Sequence, residues 1–422
     1  MATNDTRYSI RDVENVVQSI EGKIKSTTVS KPTRPGDNFV SLILQVDFDL
    51  EKNGKSRSVS ATESLIAKRL PPSRQNREFA ALGMKNEIQW YKEILPLLRD
   101  FAIANTIEVN YYADYMGSRL NMDPNLTELD DEAVLLLKNL KSEGFKNEDR
   151  FVGFDLPTTK ESLRMLAHFH ALPLVMKFKA PEVFATLKNY LNTCQLGVPP
   201  PTPTAQSLDW FPTNPAARKP PTNLVIEQMM QLPGCQPYKI QLQAMKNNET
   251  DLAEHKFAAE PWNTIVHGDY WVNNIMLKPR IEMEPRVKML DFQFLEYGSF
   301  GLDVVFFLLS SVKNDIQKNH LDDLIKFYYN ELTGVLDKQD VSELKLTYED
   351  YLAELKRCAK TLGIEHLLFI SCIIFGPKEG PDVSLGEIKM LDHLKNIAEN
   401  MNQNHKDKLE LILKLAGQRG WI

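Results

Sequence analysis

Cysteine is scarce in this chain of 422 residues: only four occur, and no two lie close enough in sequence for a metal knuckle or a redox pair. An excess of basic residues is also missing, since 50 Lys and Arg face 56 Asp and Glu and leave a net charge of -6. That balance gives no electrostatic footprint for duplex DNA or an anionic membrane. We therefore predict no nucleic-acid partner and no membrane partner, and we interpret the cysteines as buried thiols.

Long apolar runs are missing as well. The longest apolar stretches, at 304–309 and 367–375, are far shorter than the roughly 20 residues that a membrane-spanning helix needs. The first residues lack a basic start followed by an apolar stretch, so no secretory signal is expected and a cytoplasmic location is predicted. Hydrophobic residues (43%) and charged residues (25%) occur at ordinary globular levels, which excludes collagen-like and wholly disordered chains.

The first third of the chain combines strand patterns with one long helix pattern. Apolar side chains alternate over 39–48, and an Asn-Gly turn signal separates them from a second strand pattern at 64–70, which predicts a hairpin with a long loop. Over 74–98 the apolar positions step by three and four, the spacing of one buried helix face. Further strands are predicted at 107–112 and 134–137.

Helix patterns dominate the rest of the chain, at 159–172, 321–332, 348–362 and 405–415. The sequence therefore predicts an α+β fold in which a small β-rich lobe, residues 1–137, precedes a large mainly helical lobe, residues 138–422. Eight of the 24 prolines fall within 199–221. We interpret that stretch as a surface excursion without regular structure, with a substrate lid as the alternative.

Two polar motifs, each bordered by short strand patterns, carry the candidate chemistry. His-Gly-Asp-x-x-x-x-Asn lies within 264–277, and Asp-Phe-Gln lies within 287–293. Phosphoryl transfer needs a carboxylate that accepts the proton of the attacking hydroxyl, which suits Asp269, and oxygen ligands for Mg²⁺, which suit Asn274 and Asp291. Alone, an Asp at a strand end is a common turn starter. The two motifs together make the functional interpretation the stronger one.

These motifs resemble those of the aminoglycoside phosphotransferase and choline kinase superfamily. The wording His-Gly-Asp-Tyr-Trp-Val-Asn-Asn and Leu-Asp-Phe-Gln is similar to its ecdysteroid kinase-like branch. The resemblance implies a bilobal protein-kinase-like fold, with 1–137 as the nucleotide-binding lobe and 138–422 as the catalytic and substrate lobe. It also implies ATP and Mg²⁺ as cofactors and a small-molecule hydroxyl as the acceptor.

The resemblance extends to residues outside the two motifs. It implies a role in nucleotide binding for seven of them: Gly36 and Asn38 in a phosphate-covering turn, Lys68 as the phosphate-contacting strand lysine, Glu87 as its ion-pair partner, and Leu137, Lys138 and Asn139 in a hinge that contacts adenine through backbone groups. Without the resemblance, Lys68 would be an ordinary strand lysine and Glu87 a solvated helix glutamate.

Several residues are assigned to supporting positions. His267 is predicted to brace the backbone of the catalytic loop rather than to bind metal, and the resemblance implies that Asp303 ties this loop down, although it could equally cap a buried helix. His168 and His170 would point about 200° apart on one helix, so we interpret them as core or surface histidines rather than as a metal site.

The acceptor is predicted to be a small molecule, because Asp303 follows Asp291 by only twelve positions, which leaves little room for a peptide platform. The resemblance implies O-phosphorylation of an ecdysteroid-like or other lipophilic alcohol, with detoxification among the possible roles. A choline-type or aminoglycoside-type kinase, a non-catalytic ligand-binding protein and a protein kinase remain as alternatives. Protein partners, oligomeric state and regulation cannot be predicted from these motifs.

Overall fold

The computed structural model describes residues 8–18, 20–32, 41–53, 58–72, 77–193, 215–247, 260, 262–279, 286–341, 344–377 and 388–422. Ten strands and twelve α-helices are defined within those residues. None of the helices described there combines the length and the hydropathy that crossing a bilayer requires.

A five-stranded antiparallel sheet forms the N-terminal region. Its strands, in the order β1-β2-β3-β5-β4, are β1 Lys23–Ser30, β2 Leu42–Asn53, β3 Ser58–Arg69, β4 Tyr115–Arg119 and β5 Val134–Lys138. Alternation of side chains across β3 places Leu65 and Ala67 on one face and Lys68 on the other. The sheet therefore presents Lys68 towards the helix that follows β3.

The predicted hairpin is confirmed, but the prediction that a long loop joins its strands is wrong. The register of β2 with β3 runs from Leu42 opposite Arg69 to Asn53 opposite Ser58, so only four residues join the strands. The first half of β3 is rich in Ser, Ala and Thr and lacks the apolar alternation that marks its second half. The strand predicted at 107–112 is also wrong, since only Tyr112 forms an isolated bridge there, with Met289.

Between β3 and β4, the predicted helix at 74–98 is longer than expected, since α1 Arg77–Gln89 continues through a π-helical turn, Trp90–Ile94, into α2 Leu95–Ala104.

Helices account for most of the described chain beyond β5. The others are α3 Leu156–Lys179, α4 Pro181–Thr193, α5 Pro215–Met229, α6 Lys239–Asn247, α7 Gly301–Ser310, α8 Asn314–Lys338, α9 Tyr348–Cys358, α10 Ile364–Ile374, α11 Met390–Glu399 and α12 Gln403–Gln418. All four helix patterns predicted beyond residue 138 are confirmed.

The proline-rich stretch is only partly irregular. Residues 199–214 lie outside the described residues, but α5 begins at Pro215, so the absence of regular structure predicted for 199–221 is wrong from there onward. Proline suits the first position of a helix because its missing N–H has no intrahelical partner there. Val225, Ile226 and Met229 are then fully buried and fix the helix to the core.

Short strands in the helical part position the predicted motifs. β7 Asn263–Val266 pairs with β10 Glu296–Ser299, and β6 Lys146–Asn147, β8 Ile275–Lys278 and β9 Arg286–Met289 form a three-stranded sheet. A β-rich N-terminal part before a largely helical C-terminal part confirms the α+β, bilobal, protein-kinase-like fold class. The lobe boundary at residues 137 and 138 stays a prediction.

Lys408 on α12 holds the turn between α7 and α8 in place. Its Nζ lies 2.9 Å from the carbonyl oxygen of Val312, 2.9 Å from Oδ1 of Asn314 and 2.8 Å from Oε1 of Gln317, within hydrogen-bond distance of each. The preceding residue of the turn, Ser311, accepts a hydrogen bond from the backbone N–H of Val272. Lys408 therefore supports, through one intermediate residue, the loop that carries the first motif.

We predict that Lys408 makes stability depend on pH. Burial lowers the pKa of Lys408 to about 7, against about 10.4 in an unfolded chain. Between these values the unfolded chain binds a proton that the native state lacks, so the free energy of unfolding rises with pH from about 7 to 10. Urea unfolding of Lys408→Met at pH 7, 8 and 9 should lose this rise, whereas Lys414→Met, on an exposed position of the same helix, should keep it. Parallel curves for wild type and Lys408→Met would contradict the prediction.

Candidate active site

The loop that follows β7 turns sharply at Gly268. Its φ of 76° lies in the left-handed region, and a Cβ at this position would approach the carbonyl oxygen of Phe294 to 2.5 Å. Any side chain would therefore meet both backbone strain and a collision with rigid backbone. The glycine therefore allows the sharp turn of the backbone between His267 and Asp269.

The carboxylate of Asp303, in the first turn of α7, anchors this loop by accepting hydrogen bonds from the loop's backbone. Its Oδ2 accepts the N–H of His267 at 2.6 Å, and its Oδ1 accepts the N–H of Gly268 at 3.0 Å. Burial alone would raise the pKa of Asp303, but the hydrogen bonds from the His170 ring and from the backbone N–H of His267 outweigh it and lower the pKa below the ordinary value. The carboxylate is thus stabilised in its ionised form although it is almost fully buried.

His170 belongs to this anchor, which the sequence did not indicate. Its Nε2 donates to Oδ2 of Asp303 at 3.0 Å, and its Nδ1 accepts the hydroxyl of Tyr328 at 2.7 Å. These partners lie 133 and 158 residues away in the chain. Interpreting His170 as a core histidine was correct as to burial, but only the fold reveals its carboxylate partner.

His267 braces the loop from inside. Its Nε2 donates to the carbonyl oxygen of Leu290 at 2.9 Å, and its Nδ1 receives the N–H of Asp269 at 3.3 Å. A ring that donates through one nitrogen and accepts through the other is neutral, in agreement with burial lowering the pKa of His267. These contacts hold the ring between Leu290 and Asp269, and the bracing role of His267 stays a prediction.

Asp269 and Asn274 are joined by two hydrogen bonds. Nδ2 of Asn274 donates to the backbone oxygen of Asp269 at 2.9 Å and to its Oδ2 at 2.8 Å. Within the described part of the chain, no donor reaches the buried Oδ1 of Asp269. Burial, then the charge of Asp291, raise the pKa of Asp269 well above its ordinary value, against the lowering by the hydrogen bond from Asn274. A buried carboxylate of raised pKa is suited to accept a proton.

Asp291, Lys68 and Glu87 form the second cluster. Nζ of Lys68 lies 2.5 Å from Oε2 of Glu87 and 2.7 Å from Oδ1 of Asp291, although these residues come from β3, α1 and the turn after β9. Burial would lower the pKa of Lys68, but the two carboxylates outweigh it and raise the pKa. The ion pair implied for Lys68 and Glu87 is therefore present, with Asp291 as a further partner.

The two clusters lie close to each other. The charge of Asp291 acts on the carboxyl group of Asp269, and the backbone N–H of Leu290 donates to the carbonyl oxygen of Asn274 at 2.9 Å. Asp269, Asn274 and Asp291 thus lie close together, and Lys68 joins Asp291 to Glu87.

The predicted hinge follows directly from the strand beside Lys68. Lys68 lies opposite Leu135 in the β3–β5 register, and Leu137 and Lys138 end β5. The backbone N–H of Lys138 already donates to the carbonyl oxygen of Asp114 at 2.9 Å, and that of Asn139 donates to the carbonyl oxygen of Ser64 at 3.1 Å. These two N–H groups are therefore not free donors for a base. Gly36 and Asn38, predicted in the phosphate-covering turn, lie outside the described residues.

The side chains of Asn274 and Asp291 carry oxygen atoms of the kind that bind a divalent cation. Among the described residues no group of three or more His, Cys, Asp and Glu could hold a metal ion by itself. Asn274 uses its amide N–H groups on Asp269, which leaves its Oδ1 as a possible ligand beside the carboxylate of Asp291. An amide oxygen and a carboxylate suit Mg²⁺, which takes few protein ligands and completes its shell with water and phosphate oxygens. The residues present therefore fit such an ion.

The chain is similar to one protein family and to several solved structures. The model of the ecdysteroid kinase-like family matches residues 35–341, and no curated protein matches the chain. The chain is similar to a solved spectinomycin phosphotransferase in complex with ADP and spectinomycin (9% identity, covering 95% of each chain, TM-score 0.44). It is also similar to a choline kinase of Cryptosporidium parvum (10% identity, covering 94% of this chain and 91% of that one, TM-score 0.41). An ethanolamine kinase of Plasmodium vivax matches with 8% identity, covering 94% and 84%, at a TM-score of 0.39.

The family model spans both motifs as well as Lys68 and Glu87, and it covers well over half of the chain. The chain therefore belongs to the ecdysteroid kinase-like family.

Proposed function

We propose that this small-molecule phosphotransferase transfers the γ-phosphate of ATP to a hydroxyl group of an ecdysteroid-like or other lipophilic alcohol. One observation carries the proposal: a buried carboxylate with a raised pKa, Asp269, lies beside an amide, a second carboxylate and a paired lysine. These are the groups that phosphoryl transfer requires for accepting a proton and for neutralising charge.

Asp269 acts as the base in this proposal. As the acceptor oxygen bonds to the γ-phosphorus and the bond from that phosphorus to the β,γ-bridging oxygen breaks, the hydroxyl proton passes to the carboxylate. Oδ1 is the oxygen without a hydrogen-bond donor among the described residues, whereas Oδ2 accepts Nδ2 of Asn274. The bonds from Asn274 and the anchor at Asp303 keep the carboxylate oriented while the electron pair leaves with ADP.

Lys68, Asn274 and Asp291 serve the nucleotide. An ammonium group has three donors, and Lys68 uses two of them on Glu87 and Asp291, so the third can contact a phosphate oxygen. Asn274 and Asp291 would hold Mg²⁺, which when bound neutralises charge on the β- and γ-phosphates. For the base of ATP, the N–H groups of Lys138 and Asn139 are already used, and so is the carbonyl oxygen of Asn139, which accepts the backbone N–H and the hydroxyl of Ser142. The backbone carbonyl groups of Leu137 and Lys138 are the remaining candidates among the three hinge residues.

The product would differ from the acceptor chiefly in charge. A phosphate monoester carries roughly −1.5 to −2 charges at pH 7. A lipophilic alcohol so modified becomes more soluble and crosses bilayers poorly, since burying an ionised group in an apolar medium is costly. Inactivation, storage or detoxification of the alcohol would each follow from this one reaction in the cytoplasm.

A panel of acceptors tests the proposed function. Purified protein is incubated with ATP and Mg²⁺ and separately with ecdysteroids, sterols, choline, ethanolamine or aminoglycosides, and phosphorylated product is identified by mass spectrometry. We expect product with a lipophilic alcohol, and far less product in the same time when Asp269→Asn replaces the wild type. Product only with choline, ethanolamine or an aminoglycoside would replace the proposed acceptor class, and no product with any acceptor would contradict the proposal.

We predict that Asp269→Asn lowers kcat by about 10²- to 10⁴-fold, the usual contribution of a positioned base. The amide is nearly isosteric with the carboxylate and can still accept from Asn274, so the affinity for ADP measured by calorimetry should change little. Thermal denaturation checks that the variant is folded. Turnover within twofold of the wild type would remove Asp269 from the role of base.

Lys68→Met should mainly impair the use of ATP. Loss of a hydrogen bond to a charged group costs about 1.5–3 kcal/mol, so the KM for ATP should rise roughly 10- to 100-fold while the KM for the acceptor stays nearly constant. Lys25→Met, on the exposed strand β1, is the matched control and should leave both constants unchanged. Equal changes in the two KM values would point to a general disturbance instead of a phosphate contact.

A further inference from the structure

Gln293 completes the Asp-Phe-Gln motif, and the proposed reaction gives it no task. Its side chain is only 5% exposed, and its Nε2 donates to Oδ2 of Asp291 at 3.3 Å. Lys68 contacts the other carboxylate oxygen, Oδ1, at 2.7 Å. The Asp291 carboxylate therefore has a donor on each oxygen, a cation on one side and a neutral amide on the other.

We infer that Gln293 is a positioning residue for Asp291, and that one face of helix α1 is shaped to keep Gln293 in place. The inference deepens the proposed function, because it rests on Asp291 acting as the ligand of the divalent cation. Partners that orient a ligating carboxylate commonly matter almost as much as the ligand itself.

Three residues of α1, and the first residue of the π-helical turn that continues it, face the turn at 291–293. They are spaced i, i+3, i+4 and i+7, which places them on one side of a helix. Gly83 lies against the Gln293 side chain, Asn86 donates through Nδ2 to the Gln293 backbone oxygen at 3.0 Å, Glu87 binds Lys68, and Trp90 stacks on Phe292 with ring centroids 4.6 Å apart. The Asp-Phe-Gln motif therefore packs against this side of the helix.

Gly83 provides the space that the glutamine occupies. A Cβ at position 83 would lie 2.9 Å from Oε1 and 3.2 Å from Cβ of Gln293. A methyl group there must displace the Gln293 side chain, whose amide is in contact with Asp291. By contrast, a Cβ at Gly334 on α8 would meet nothing within 4 Å.

The backbone of Asp291 explains why positioning is needed. Its φ of 66° and ψ of 69° place a non-glycine residue in the left-handed region. Such a conformation persists only where surrounding contacts fix it. Gln293 and Asn86 supply two of those contacts, from the side chain and to the backbone of the same turn.

The first test measures how strongly Mg²⁺ increases the affinity for ADP, by titration calorimetry with and without MgCl₂. This uses binding rather than turnover, so no acceptor is needed. Gln293→Ala should reduce the Mg²⁺-dependent gain by about 10- to 100-fold, with metal-free ADP affinity little changed. A Gln293→Ala variant with the full gain of the wild type would overturn the inference.

The second test asks whether Gly83 acts through Gln293. Gly83→Ala should reduce the same gain, whereas Gly334→Ala, the same change on another helix, should not. In the Gln293→Ala background, adding Gly83→Ala should cause little further loss, because the displaced side chain is already absent. Equal losses from Gly83→Ala in both backgrounds would show that the methyl group acts elsewhere and would overturn the role given to α1.

Hydrogen exchange without nucleotide separates this inference from the proposed function. Backbone amides of the peptide covering 290–295 should exchange faster in Gln293→Ala and in Gly83→Ala than in the wild type or Gly334→Ala. If exchange accelerates but the wild type shows no Mg²⁺-dependent ADP binding, the positioning of Asp291 stands and the proposed function fails. If exchange is unchanged in both variants, the inference fails whatever the nucleotide does.

Discussion

An ammonium group between two carboxylates is the interaction on which the site depends. The side chain of Lys68 is 12% exposed and that of Glu87 is 3% exposed, so both charges are largely removed from water. For stability alone, apolar residues of similar volume would often serve as well, but removing one partner from such a pair is costly because it leaves a buried charge uncompensated. The ion pairs are therefore best explained by position: they join the sheet, the helix α1 and the turn after β9 at one point.

Two aspartates within one small region are given opposite acidities by their surroundings. Asp303 accepts two backbone N–H groups and the ring of His170, and its pKa is lowered. Asp269 is buried near the charge of Asp291, and its pKa is raised. The first is fitted to remain ionised and anchor the loop, and the second is fitted to exchange a proton. Identical side chains thus take different tasks because donors surround one and another carboxylate lies near the other.

The sequence could predict the parts of this protein whose signal is local. Asp269, Asn274 and Asp291 lie in short motifs between apolar strands, and the second half of β3 shows the alternation that places Lys68. Strand β1 escaped prediction because it lies at the sheet edge, where polar side chains replace the apolar alternation. The polar partners of His170 and Gln293 could not be predicted either, since Tyr328 and Asn86 are brought to them only by helix packing.

The backbone at Asp291 shows how the chain combines a strained residue with a required carboxylate. Glycine would adopt a φ of 66° without strain, but it would bring no charge to the site. An aspartate in the left-handed region costs about 1–2 kcal/mol. The stacked pair of Trp90 and Phe292 contributes about 0.5–1.5 kcal/mol, and the hydrogen bond from Asn86 to the next residue but one contributes about 1 kcal/mol. These contacts are sufficient to offset the strain, because α1 bears directly on the two residues that follow Asp291. The position of the helix and the conformation of the carboxylate are therefore coupled, and a shift of α1 would move Glu87 and the Asp291 turn together.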